Sequence, residues 1–393
     1  YLPTFELPDM DVLRVTVVPK EDDGRLDTRS SSSHDYAIDI GERSLKVLHL
    51  VRRAWWDPPH RIPRILARAE EPIPAGWIME GVISEPQLLA ALLRRTRARL
   101  GPWWSRSPFA ILTLPEARVF LTTIPAAPIA TDVLGSAQRL AGAIPMDPAR
   151  AVIVTQELPG TAHDARTLVA AAPRQLIESY AKVCTDAGIT PIALDLESAA
   201  IARAVAWTPL RHATPALPAL VIDCGATRTS AIIATPHTVA ASITIPVSGT
   251  RLTAALAGAL RIDAAAAELV KRRTDCTRGN AGDPAAAALA VALEPLLDGI
   301  ERLRRFAGTH LPATCLPHRI VLTGGSAALT GLDRYLATRT KLPVDRFHIP
   351  SIVSGDHTDA STAHLATVFG LGLLGLDPVG TLANGNARAA ISV

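Results

Sequence analysis

The sequence predicts an α/β chain of two similar lobes, and three observations carry that expectation. Residues 36–50 (YAIDIGERSLKVLHL) and 220–234 (LVIDCGATRTSAIIA) repeat one device: an apolar run, Asp, one residue, Gly, a polar turn and a second apolar run. Asp39 aligns with Asp223, and Gly41 with Gly225. Strand-like and helix-like segments alternate through both halves, as in chains that cover a sheet with helices. At 393 residues the chain is long enough for two or more domains of about 100–200 residues each.

The elements follow in order. Residues 1–35 mix charges, Pro and a Ser run, and read as a tail or linker. The first lobe spans 36–210. Residues 51–80 hold many Pro residues with Trp55, Trp56 and Trp77 and show no clear period. PQLLAALLRRTRARL (86–100) sets apolar residues at helical spacing opposite an Arg-rich face, and Gly101-Pro102 stops it. FAILTL and ARVFLTTI, around Pro115, predict two short strands. Residues 131–143 predict a helix capped by Thr and Asp, 151–157 and 167–172 predict strands, and 174–187 predict an amphipathic helix closed by Gly188. ITPIALDL then reads as a strand and ESAAIARAVAW as a helix.

A Pro-rich link leads to the second lobe, 215–360. After its strand–Asp–Gly element come a strand in HTVAASITIPV and a helix in SGTRLTAALAGAL. A helix over 263–273 is capped by Asp263, and 274–284 form a polar, Gly-rich loop. The long helix 285–308 ends in Arg302, Arg304 and Arg305, favourable at the negative pole of a helix. HRIVLTGGSAALTGLDRYL is strand, Gly-Gly turn and helix. Residues 361–376 predict a small-residue helix packing back on the first lobe, and 377–393 a tail.

Composition narrows the function classes. Hydrophobic content of 48% and charged content of 20% are those of a globular protein, while 4% aromatics leave the core to Ala, Val, Leu and Ile. A net charge of +3 is too small to argue for nucleic acid. Cys184, Cys224, Cys276 and Cys315 lie far apart with no C-x-x-C pair, which speaks against zinc and against a disulfide framework, and for reduced thiols in a cytoplasm. No apolar run of about 18 residues predicts a membrane span. No H-x-x-x-H, G-x-S-x-G or P-loop pattern occurs.

The repeated element suggests phosphate chemistry. Gly41 lets a turn approach a phosphate and offer backbone N–H groups. Ser44 adds a hydroxyl, Lys46 a positive charge, and Asp39 a carboxylate that would bind Mg²⁺ through water. Asp223, Gly225, Thr227 and Thr229 repeat the logic, with Asp223 again metal-binding through water. One copy alone reads as a plain β-hairpin; two copies in chain order favour phosphate. Gly324, Gly325 and Ser326 allow the backbone to pass close to a base or ribose, or form only a tight strand–helix turn. Glu268 and Lys271 share a helix face, fit to hold ribose hydroxyls or simply to pair with each other. Asp195 and Glu197 stand at the start of a helix. A carboxylate there either orients a water for attack on a γ-phosphate or serves the helix start itself.

The order of these pieces resembles the actin-like ATPase superfamily in its PilM and FtsA branch. IDIGERSLKVL resembles the first phosphate loop, LDLESAAIARA the first connecting helix, VIDCGATRTSAII the second phosphate loop, and IVLTGGSAALTGLDRYL the adenosine motif. LPEARVFLTTIPAAPIATDVLGSAQRLAGAIPMDPARAVIVTQEL is similar to the extra subdomain of that branch, placing an insertion at about 116–188. IPVSGTRLTAALAGALRIDAAAAELVKR, including Gly249, is similar to the stretch after the second loop in PilM-type members. The likeness covers roughly 36–376.

The resemblance implies two ribonuclease-H-like lobes, bound ATP and Mg²⁺, and at most slow ATP turnover. It also implies a cytoplasmic platform at the inner face of the inner membrane. There it would engage the cytoplasmic tail of a PilN-like protein and, through it, a PilO-like one, in type IV pilus biogenesis for motility, adhesion or competence. A homo-oligomer is compatible with it. Glu42 and Arg43 stand where the family has small residues, and the insertion's helix is nearly neutral where the family is Glu-rich. Other readings are a degenerate scaffold without nucleotide, an FtsA-like division protein and a sugar kinase of the same fold. The tail TLANGNARAAISV is too short and polar for the membrane helix of the FtsA type, and no sugar-site Asp stands out.

Overall fold

The computed structural model describes residues 14–18, 36–51, 63–101, 108–125, 144–158, 166–208, 217–235, 239–278, 282–350, 353, 362–376 and 388–392. Its contacts divide the chain into two compact units. The first comprises 1–207, 351–356 and 367–393, the second 208–350 and 357–366.

In the first unit the described strands are Arg14–Val18 (β1), Tyr36–Ile40 (β2), Ser44–Val51 (β3), Arg64–Pro72 (β4), Ile78–Met79 (β5) and Val82–Ile83 (β6). Helix Pro86–Arg99 (α1) follows, then Phe109–Leu114 (β7), Phe120–Pro125 (β8), Ala151–Leu158 (β9) and Arg166–Pro173 (β10). Helix Arg174–Asp186 (α2), strand Thr190–Leu196 (β11) and helix Glu197–Trp207 (α3) complete this run. The second unit holds Ala219–Cys224 (β12), Thr229–Ala234 (β13), Val239–Ile245 (β14) and helices Gly249–Leu260 (α4), Ala264–Arg273 (α5) and Pro284–His310 (α6). Then come Ile320–Thr323 (β15), Leu332–Thr340 (α7) and Val344–Arg346 (β16); the chain continues into Ala366–Leu376 (α8) and Arg388–Ser392 (β17).

Both units are built on one five-strand pattern. The main sheet of the first is ordered β17-β1-β11-β7-β2-β3-β4, and that of the second β14-β13-β12-β15-β16. In each, two strands lead by antiparallel pairing to the Asp-bearing central strand, and two parallel strands continue the sheet beyond it: β4-β3-β2-β7-β11 matches β14-β13-β12-β15-β16. The duplication visible in the sequence is thus a duplicated sheet. β2 is buried throughout, and β12 at every position except Asp223, as apolar runs in the middle of a covered sheet should be.

The tails read at 1–35 and 377–393 contain strands instead. β1 runs antiparallel to β11 and parallel to β17, so the two ends of the chain extend the first sheet. Their partners are far apart in sequence, so no local period reveals the pairing. Residues 51–80, which showed no period, hold the edge strand β4 and strand β5, which pairs with β6 just beyond it in a short hairpin. The helix expected over 131–143 lies outside the described residues. The rest of that stretch forms a separate three-stranded sheet, β8-β10-β9. Ile144, Val169 and Ala171 form its core, with Phe120, Ile124 and Met146 packed against them.

Caps set the helices of the second unit. Asp263 accepts from the N–H of Ala266 at 2.7 Å to start α5, and Asp283 accepts from that of Ala285 at 2.9 Å to start α6. Gly299 lets α6 lie directly on Ile245 of β14, where a Cβ would overlap that side chain.

In the first unit, α8 packs just as closely on α3. A Cβ on Gly370 would overlap the Ala200 carbonyl, and Phe369 meets Trp207 edge-on at 5.3 Å. Arg203 ties this layer to the sheet. It donates to the Gly370 carbonyl at 2.9 Å and pairs with Asp195 at 3.0 Å, their side chains 6% and 0% exposed. Removing one partner leaves the other charge buried and uncompensated. Arg203→Ala is therefore expected to destabilise the first unit by about 3–5 kcal/mol in urea unfolding. The double variant Arg203→Met/Asp195→Asn should recover more than half of that loss.

Candidate functional site

The two Asp–Gly turns have the same construction. In the first, Asp39 ends the central strand beside the parallel strand β7, and Thr113 donates its hydroxyl to Asp39 Oδ1 at 3.2 Å. In the second, Thr323 of β15 donates to Asp223 Oδ1 at 3.0 Å. Thr113 and Thr323 were not singled out from the sequence. The available signal was positional: each is a hydroxyl residue at the end of the strand parallel to the Asp strand.

The glycines act differently from expectation. Gly41 N–H donates to the Ser44 carbonyl at 3.0 Å, and Gly225 N–H to the Arg228 carbonyl at 2.9 Å. These N–H groups close the hairpins, so they are not the donors a phosphate would meet. A Cβ at Gly225 would stand 2.8 Å from the Arg228 oxygen, so the glycine is needed for the tight closure. N–H donors for an anion fall to the residues inside the turns, 42–43 and 226–227, next to the Ser44 and Thr227 hydroxyls.

Around the second turn the structure gathers most of the residues proposed there. Gly249, at the start of α4, donates its N–H to the Gly225 carbonyl at 3.0 Å, and Thr250 donates to the Ala226 carbonyl at 2.9 Å. A Cβ on Gly249 would lie 2.8 Å from Ser326 Oγ, so the absence of a side chain lets the Gly324-Gly325-Ser326 corner close on this helix start. Gly324 has φ +82°, and a Cβ there would meet the Cys224 oxygen at 2.6 Å and Asp223 Oδ1 at 2.8 Å. Asp223, Gly225, Gly249, Gly324 and Ser326 thus share one corner at the carboxyl ends of β12 and β15.

Lys271 reaches this corner from α5. Its buried ammonium donates to the Gly249 carbonyl at 2.9 Å, to Thr253 Oγ1 at 2.8 Å and to Glu268 Oε2 at 2.5 Å. Glu268 also accepts from Thr253 at 2.6 Å and Arg272 at 3.0 Å. All three Lys271 protons are used inside the protein, so the pair braces Gly249 in this state and does not present a free ammonium. Thr229 is a correction. It is a β13 residue only 1% exposed, hydrogen-bonded to the Cys224 thiol and out of reach of a ligand. Burial, with the Asp223 charge beside it, pushes that thiol up, so Cys224 stays protonated.

The first unit brings Asp39, Gly41, Ser44 and Lys46 together, but Lys46 is committed. It donates to Asp39 Oδ2 at 3.1 Å, with side chains 13% and 7% exposed. Both Asp39 oxygens are therefore occupied, by Thr113 and Lys46.

Asp195 is a second correction. It is fully buried, with Oδ2 on Arg203 and Oδ1 accepting from the Leu196 N–H at 2.9 Å. It is a structural ion pair and cannot meet a water as a base. Glu197 keeps partial exposure and accepts from the Glu116 N–H at 3.3 Å, while Glu116 accepts from the Ser198 N–H at 3.0 Å, capping α3. Among the described residues no group of three or more His, Cys, Asp and Glu is placed to hold a metal.

With this geometry in place, the likeness to known proteins can be stated. The family model of the type IV pilus assembly protein PilM matches residues 37–351. No curated protein matches. Among solved structures, a PilM–PilN type IV pilus biogenesis complex is 23% identical, with TM-score 0.69 over 88% of this chain and 99% of that one. The ethanolamine utilization protein EutJ from Carboxydothermus hydrogenoformans is 16% identical, with TM-score 0.51 over 87% and 90%. MreB5 of Spiroplasma citri bound to ADP is 13% identical, with TM-score 0.52 over 90% and 99%. At these identities the structures speak for the fold, which is the actin-like ATPase fold.

Glu268 supplies a pH test. Burial pushes its carboxyl up, but hydrogen bonds from Lys271, Thr253 and Arg272 together outweigh burial and hold it below its ordinary 4.5. A depressed folded value stabilises above the unfolded one and is lost as pH falls through it. Glu268→Gln should therefore lower the melting temperature at pH 7 and flatten its fall below pH 4.5.

Proposed function

This chain belongs to the PilM family of type IV pilus assembly proteins, and we propose that it is the ATP-binding assembly platform of such a pilus. It would work at the inner face of the inner membrane, engaging the cytoplasmic tail of a PilN-like protein and, through it, a PilO-like one. The observation that carries the nucleotide part is the repeated corner: Asp39–Thr113 and Asp223–Thr323, each with a glycine-closed turn. One such corner alone is a hairpin; the same corner built twice, once in the sheet of each unit, favours a phosphate-binding role over chance. The ADP-bound and AMPPNP-bound MreB5 structures of the same fold support a nucleotide ligand. The PilM–PilN complex supports a PilN-like partner. No helix among the described residues is long and apolar enough to cross a membrane, in keeping with attachment through a partner.

Mg²⁺ fits Asp223 better than Asp39. An ammonium 3.1 Å from Asp39 disfavours a second cation there, whereas Asp223 is partly exposed with Thr323 on Oδ1. Held through water by Asp223, the ion would neutralise phosphate charge. Glu197, the first residue of α3, is the remaining candidate to orient a water; Asp195 is not.

A second reading, a scaffold of the same fold without nucleotide, draws on one observation. The donors and acceptors of Lys271 and Asp39 are satisfied inside the protein. Calorimetry separates the two. The platform reading expects micromolar, Mg²⁺-dependent ATP binding, with the Mg²⁺ dependence lost in Asp223→Ala. A folded chain that binds no ATP but still binds a PilN-like tail peptide would support the scaffold.

A further inference from the structure

Lys46 stands in the middle of a charged row running across three strands. It faces Asp39 on β2 and, on its other side, Glu70 on β4. Directly opposed residues of antiparallel strands share one face, so Glu70, Lys46 and Asp39 lie side by side on one face of the sheet. The same row in the second unit is Asp223, Ser230 and Thr244. The first row carries two negative charges and one positive, the second one negative charge, so both have the same net charge. Without Lys46 the first row would be doubly negative at the place where an anion must approach Gly41.

We propose that Lys46 is a charge-balancing residue of the first turn, acting through Asp39 and Glu70, and is not a ligand of the phosphate. The sequence alone makes a lysine five residues past a glycine turn read as a phosphate contact. Register changes that reading, because the ammonium is drawn to Asp39 at 3.1 Å and flanked by Glu70. The second unit reaches the same balance with neutral hydroxyls, so the lysine is replaceable if its carboxylate partner is replaced with it.

The role in ligand binding rests on the ATP reading above. The test transplants the neutral row of the second unit into the first. Lys46→Ser should weaken ATP binding by roughly tenfold, the effect of one unscreened charge several ångströms from the phosphates. The double variant Lys46→Ser/Glu70→Thr should return to within about threefold of the parent, because two charges at similar distance cancel. A lysine touching phosphate outweighs the more distant Glu70, so a double variant as weak as Lys46→Ser overturns the proposal. Melting temperatures of the same variants are a second readout that needs no nucleotide. Charge balancing predicts a loss in Lys46→Ser that the double variant recovers, and no recovery also overturns it. If the parent binds no ATP, the nucleotide reading has failed, and the melting series alone decides for or against charge balancing.

Discussion

The structure depends on holding an aspartate at the end of a central strand, where the sheet meets a turn. Such a carboxylate is costly to bury without donors. In both units the first donor is the hydroxyl of a threonine on the neighbouring parallel strand, Thr113 for Asp39 and Thr323 for Asp223. That bond needs the parallel strand in one register, the glycine turn closed, and the Asp strand central. The five-strand order repeated in the two units meets all three requirements twice.

Other features follow from this corner. In the second unit the glycine-rich stretch 324–326 fits only because Gly324 takes a left-handed conformation and Gly249 has no side chain in the way. Lys271 then fastens the start of α4 by its main-chain oxygen, which makes the Glu268–Lys271 pair a brace for the corner. The first unit uses charge where the second uses hydroxyls, with Lys46 set between Asp39 and Glu70. Farther back, Asp195 and Arg203 join β11, α3 and α8, so a carboxylate at a strand end serves packing here and not chemistry.

The α/β class, the duplicated turns and most elements were legible because they are local. An apolar run, Asp, Gly and a second apolar run lie within fifteen residues, and helix caps such as Asp263 and Asp283 announce themselves. Non-local pairing was not legible. β1 and β17 meet across the length of the chain, and edge strand β4 lacks a clear alternation because Ala67 and Ala69 mark its inner face. Among the candidate site residues the sequence located the two Asp–Gly turns at the ends of their strands, yet it could not show which charges were already taken. Lys46 and Asp195 carry chemistry suited to phosphate and to a base, but Asp39 and Arg203 take up their charges through strand register and helix packing. Thr229 was misread for a related reason, since counting from the glycine does not show that the turn has already ended in a buried strand.

The central claim is that the Asp–Gly corner, built alike in each unit, is a phosphate-binding element. Hydrogen exchange on the intact chain, with and without ATP and Mg²⁺, tests it most directly. The account predicts slowed exchange at 41–44 and at 225–228 in the same titration, with a smaller effect at 324–326. Protection at only one turn, or at neither while ATP is bound, would contradict it.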